Sequence, residues 1–93
     1  MINPFIIMKE VESYFFLPKG SICSIKKGKA VVEARSIAVV LCKKHTRFSW
    51  QELADIFEKD HSSLFYYNRI VRENPQLENI CAKINTTLLD KYI

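Results

Sequence analysis

The chain has 93 residues, a formal net charge of +4, 48% hydrophobic residues and only two glycines. That suffices for one small folded domain, 1–93, and is too apolar for a disordered chain. No apolar run approaches the length of a membrane span, and Cys23, Cys42 and Cys81 are too scattered for a zinc site or a disulfide framework.

The opening "MINPFIIMKEVESYFF" lacks a basic leader and a small-residue cleavage site, so it reads as structure. Asn3 is placed to cap a first helix, with Pro4 at its first position and Ile7, Met8, Val11 and Phe15 repeating at helical spacing. Pro18 and Gly20 are expected to end it. Ser21 opens a single turn around Ile22, before the basic "KKGK" at 26–29. A second helix is predicted from about Ala30 to His45, with a buried stripe of Ala34, Ile37, Ala38, Leu41 and Cys42, and with Arg35, Val39 and Lys43 projecting elsewhere. In the third, "SWQELADIFE" at 49–58, Ser49 and Glu52 form a capping box, and Leu53, Ile56 and Phe57 face inward. A break at Glu58–Lys59 follows. Asp60 is then expected to cap a fourth helix running to about Glu73, with Leu64, Tyr67, Ile70 and Val71 inward. Asn74–Pro75 stops it and starts a fifth, with the stripe Leu77, Ile80, Cys81, Ile84 and Leu88. The fold class is all-α. Cys42 and Cys81 fall on apolar stripes, as small buried thiols suited to a reducing cytoplasm.

The charge is unevenly placed. Lys19, Lys26, Lys27, Lys29, Arg35, Lys43, Lys44 and Arg47 face a single acid, Glu33, over the stretch 19–47. Such an excess attracts a polyanion. Helix three, a tight break and helix four make a helix-turn-helix pattern, although the turn has no glycine. In that motif the second helix enters the major groove, and its first residues meet base edges. Asp60, His61, Ser62 and Ser63 are short polar side chains at that point. Asp60 can accept from a cytosine amino group, His61 can donate or accept, and the hydroxyls reach a base or a phosphate. Taken singly, each of the four better fits plain capping or an idle surface position; together, beside a basic belt, they fit it less well.

An interaction module and an enzyme are the two competing classes. A helical protein–protein interaction module, or a regulator that no longer reads a DNA site, is the alternative, because Phe15, Phe16, Trp50, Phe65 and Tyr66 exceed what a small core absorbs. A membrane-surface role lacks the long basic amphipathic helix that it needs. An enzyme needs a nucleophile, a base and an orienter, or metal ligands, and His45, His61 and the cysteines offer no such spacing. No G-x-x-x-x-G-K-[ST] occurs, so ATP hydrolysis is not expected.

The run "KDHSSLFYYNRI" resembles the Arg-Asp-His-Thr-Thr-Val signature of the C-terminal DNA-binding domain of the bacterial replication initiator DnaA family. "EARSIAVVLCKKHTRFSWQELADIF" is similar to that family's Arg-Gln-Ile-Ala helix, Leu-Thr loop and Ser-x-x-Glu-Ile helix. "VESYFFLPKGSICSIKKGKAV" matches its opening helix and basic loop. The resemblance covers roughly residues 5 to 90. It implies a five- to six-helix Trp-repressor-like helix-turn-helix domain that recognises a DnaA box in double-stranded DNA. Carried over, Asp60, His61 and Ser62 read the major groove, and Arg35 enters the neighbouring minor groove. Lys59, Ser63 and Arg69 hold phosphates, Lys26, Lys27 and Lys29 line the basic loop, and Lys43, Lys44, Arg47, Trp50 and Gln51 lie near the backbone. Where the family has a glycine pair before its arginine, "FEKDH" is one residue shorter and glycine-free. Lys59 stands for that arginine, and Ser62 and Ser63 for threonines. Tyr66 and Ile70 stand for histidine and lysine. The expected partner is double-stranded DNA on the nucleoid in the cytoplasm, with no cofactor, metal, small-molecule substrate or membrane, and any protein partner left open.

Overall fold

Five helices and no strand make up residues 2–93, the part described by the computed structural model: α1 (Pro4–Tyr14), α2 (Lys29–His45), α3 (Trp50–Phe57), α4 (His61–Arg72) and α5 (Pro75–Tyr92). Three of them begin where a side chain accepts an orphan backbone N–H. Asn3 Oδ1 accepts from Phe5 N–H at 2.8 Å, and Asn74 Oδ1 from Gln76 N–H at 3.0 Å, each just before a proline at the first helical position. At α3 the capping box is reciprocal: Glu52 N–H donates to Ser49 Oγ at 3.1 Å, and Ser49 N–H to Glu52 Oε1 at 2.9 Å.

One helix end departs from the sequence expectation, whereas the break expected at Glu58–Lys59 is found. α1 stops at Tyr14, before Pro18 and Gly20 are reached, because Phe16 turns left-handed at φ 55. Leu17 N–H then donates to Glu12 O at 2.9 Å, and Phe16 N–H to Ser13 O at 3.2 Å. α3 ends in the same way around Glu58 at φ 57, with Lys59 N–H on Ala54 O at 3.0 Å and Glu58 N–H on Asp55 O at 3.2 Å. This double closure usually carries glycine, and another residue held there costs about 1–3 kcal/mol. The closure, rather than a glycine, makes the tight joint between α3 and α4.

α2 is the hub: α1, α3, α4 and α5 all pack on it. Its predicted stripe is buried, but so are Val31, Arg35, Ser36 and Val39, two of which were expected to project elsewhere. One stripe serves a helix with one neighbour; a helix with four neighbours is covered nearly all round. Around it lie Ile7, Met8 and Val11 of α1, Leu53 and Phe57 of α3, Leu64, Tyr67 and Val71 of α4, and Leu77, Cys81, Ile84 and Leu88 of α5. Phe15, Ile56, Ile70 and Ile80 are half-buried at the edge of this core. Burial pushes the Cys42 thiol up to about 12, so it stays protonated and acts as a small apolar filler. Among the described residues, no helix is long and apolar enough to cross a membrane.

Candidate nucleic-acid interface

The amino end of α4 stands open. Asp60 occupies the cap position with extended backbone, but its carboxylate makes no capping hydrogen bond, contrary to the expectation that it would close the helix. Asp60, His61 and Ser62 are exposed and Ser63 is half-buried, while Leu64 directly behind them is fully buried. The short polar head is thus held at the surface by an apolar anchor. The His61 ring rests edge-on against Phe65, centroids 4.7 Å apart, and Phe65 leans on Trp50 at 5.0 Å. Lys43 completes this run, with its ammonium 5.1 Å from the Trp50 ring centre and donating to Phe48 O at 3.1 Å. One surface therefore joins α2, α3 and the start of α4.

The second component is the connection between α1 and α2. Its turn at 21–24 is fixed from two sides. Ile22 is fully buried, and its N–H donates to the buried Glu12 carboxylate at 3.1 Å. From the other side, Arg35 grips the carbonyls. Its Nε donates to Ile22 O at 2.7 Å, and its Nη2 to Ser24 O at 2.8 Å, Lys26 O at 3.0 Å and Ser21 O at 3.5 Å. Its Nη1 meets Tyr67 Oη of α4 at 3.4 Å, with the guanidinium 5.6 Å from the Tyr67 ring centre.

These bonds hold Arg35, the residue expected in a minor groove, inside the fold. The side chain is 1% exposed. A guanidinium is always charged, and burying one is costly unless its fork of donors is satisfied. Here carbonyl oxygens satisfy it, and no ion pair does among the described residues. Withdrawing it would take the guanidinium donors away from the carbonyls of Ser21, Ile22, Ser24 and Lys26.

Lys59, expected at a phosphate, also turns toward this turn, and its Nζ donates to Ser24 O at 2.8 Å. Burial, and then the charge of Arg35, hold its ammonium below the usual lysine range. Lys26, Lys27 and Lys29 are exposed and form no ion pair among the described residues. Between this loop and α4 lies an open groove of about 860 Å³. Its lining mixes Lys27 and Lys59 with Asp55, Glu58 and Asp60. With Arg35 also on its wall, the groove carries charges of both signs, and the exposed lysines of the loop rather than the groove itself attract phosphate.

The other expected residues divide. Arg47 and Gln51 are exposed near the Trp50 surface, with Gln51 Nε2 donating to Asp55 Oδ1 at 3.3 Å. Arg69 is exposed, 4.0 Å from Glu73 and with its guanidinium 6.0 Å from the Tyr66 ring centre. Lys44 is not brought to the open end of α4: it lines a notch with Arg72 and Cys81, where α2 meets the far end of α4 and α5. Sequence reasoning missed Glu12 and Tyr67 as loop holders. The available signal was a glycine-poor connection whose backbone groups needed partners.

Residues 5–71 match the family described as "Bacterial dnaA protein helix-turn-helix". The chain is 34% identical over 89 residues to the chromosomal replication initiator protein DnaA of Pelobacter propionicus, covering 90% of this chain and 20% of that one. It is 37% identical over 71 residues to the protein of the same name from Buchnera aphidicola subsp. Cinara cedri, covering 74% and 16%. To that of Clavibacter sepedonicus it is 30% identical over 74 residues, covering 78% and 16%. The chain thus spans about a fifth or less of the length of these curated relatives.

Proposed function

The chain belongs to the bacterial DnaA helix-turn-helix family, and from that premise we propose that it binds double-stranded DNA in a sequence-specific way, at a DnaA-box-like site. The observation that carries this reading is the pairing of an open polar helix start, Asp60 to Ser62, with a rim of exposed lysines that have no ion-pair partner among the described residues.

In this reading α4 enters the major groove by its amino end. Asp60 accepts from a cytosine amino group, and His61 and Ser62 meet neighbouring base edges. The Ser63 hydroxyl and the N–H groups of the helix start face a phosphate. Lys26, Lys27 and Lys29 lie along one stretch of backbone. Lys43, Arg47, Trp50 and Gln51 lie along another, and Arg69 lies farther up α4. The action is binding without ATP hydrolysis, and it takes place in the cytoplasm on nucleoid DNA. As a share of a replication initiator's work, it is the address, the step that selects where on a chromosome an assembly forms.

Selection of bound duplexes from a random pool, followed by a salt titration on the winners, tests this. The expected result is a box-like consensus, with log affinity falling against log salt at a slope of roughly −4 to −5, as for about five neutralised phosphates. Absence of binding to any duplex at low salt overturns it. A second reading, a protein-docking module, draws on Phe5 at 60% and Phe16 at 95% exposure around α1. Binding to a protein with no affinity for duplex DNA would favour it.

A further inference from the structure

We infer that Arg35 and Lys59 are positioning residues that fix the basic loop relative to the reading end of α4, and that they do so through one shared acceptor, the Ser24 carbonyl. This rests on the DNA-binding reading and deepens it, because it says how the phosphate-holding and base-reading parts are kept in register.

Ser24 O accepts from Arg35 Nη2 at 2.8 Å and from Lys59 Nζ at 2.8 Å. The two donors come from opposite sides: Arg35 from the central helix, Lys59 from the joint that leads into α4. Arg35 also reaches Tyr67 Oη at 3.4 Å, directly across to α4. The loop is therefore tied both to the core and to the element expected to read bases. Two residues beyond Ser24 the exposed lysines begin, and the Lys26 carbonyl is itself held by Arg35 at 3.0 Å. Backbone at 21–26 that is already fixed leaves little ordering to be done when a phosphate arrives. The span between Lys26–Lys27 and His61 is then set before DNA is met, and point charges that carry no sequence information still impose a register.

Arg35 suits this task and lysine does not. A planar fork can grip several carbonyls at once, whereas an ammonium on a flexible stem cannot hold the same set. Arg35 is buried, so whatever its substitution does to DNA binding comes through the loop and not through a lost contact with DNA.

The test is a set of mutant cycles on the full 93-residue chain, with duplex taken from the pool selection, or with random-sequence duplex where no preference emerges. The loop-charge variant is Lys26→Ala/Lys27→Ala, and the tether variants are Arg35→Lys and Lys59→Met. In wild type the loop-charge change is expected to make the salt slope shallower by about 2. In a folded tether variant the same change has little further effect, because the loop no longer presents its charges, while His61→Ala keeps its full effect. Amide exchange at 21–26 quickens in the tether variants, with α5 unchanged. Where Arg35→Lys does not fold, as read by its helical circular dichroism, Lys59→Met decides, since its side chain is only half-buried. A loop-charge effect of undiminished size in a folded tether variant overturns the inference, and so does wild-type-like exchange at 21–26. Those results leave DNA binding standing. A wild-type chain that binds no duplex removes both.

Discussion

The basic loop and the open end of α4 face the same groove but are built in opposite ways. The loop exposes lysines, yet its backbone at 21–26 is gripped by Glu12, Arg35 and Lys59. The start of α4 exposes short polar side chains, and its cap carboxylate is engaged in nothing. Fixed backbone with exposed tips suits charges that need only be near a phosphate. Uncommitted short side chains on a rigid helix suit groups that must satisfy particular base edges. The difference separates placing from reading, and substitution can pull the two apart.

The largest expected effect comes from removing what the reading end stands on. Leu64→Ala empties a fully buried site directly behind the polar head and should cost about 2–5 kcal/mol of stability, measured by chemical denaturation. A cost under about 1 kcal/mol would mean that α4 is not anchored there. Next, His61→Ala should cost about 1–3 kcal/mol on the preferred duplex and flatten the preference, measured by competition with scrambled sites. Equal losses on every sequence would move His61 from reading to placing. Lys27→Ala should do the reverse, weakening all sequences alike and making the salt slope shallower by about 1. A sequence-dependent loss would blur the contrast.

The smallest effect is a control in neither region. Glu52 is held below its ordinary carboxyl range, chiefly by the Ser49 backbone N–H and then by the Ser49 hydroxyl. Its folded value is the lower one, so its stabilisation is present above the unfolded value and fades as pH falls through the folded value. Glu52→Gln should therefore remove part of the acid-side loss of thermal stability while leaving DNA affinity near pH 7 unchanged. An unaltered acid limb would show that the capping box contributes nothing through charge.

The contrast also marks what the sequence made visible. Asn3–Pro4, Ser49 with Glu52, and Asn74–Pro75 announced helix starts because capping is chemistry among near neighbours. Leu64, Leu53 and Leu77 announced inward faces by spacing alone. The polar head at 60–63 was legible because it interrupts that spacing. The burial of Arg35 was not legible because its partners lie 9 to 14 residues back along the chain, in a turn with no periodic signal, and in Tyr67 on another helix. Val39 was misread because a stripe pattern presumes one packing partner, whereas α2 has four. Asp60 has a capping residue's identity without the bond, and only coordinates separate those two.

Glu58 sits left-handed at the joint, in a chain that has two glycines elsewhere. A glycine there would relax the backbone but would remove a negative charge from the lining of the groove. Conformational ease and discrimination against stray polyanions are therefore opposed at a single codon. A lineage that exchanged this glutamate for glycine would gain a looser hinge and a stickier, less choosy surface.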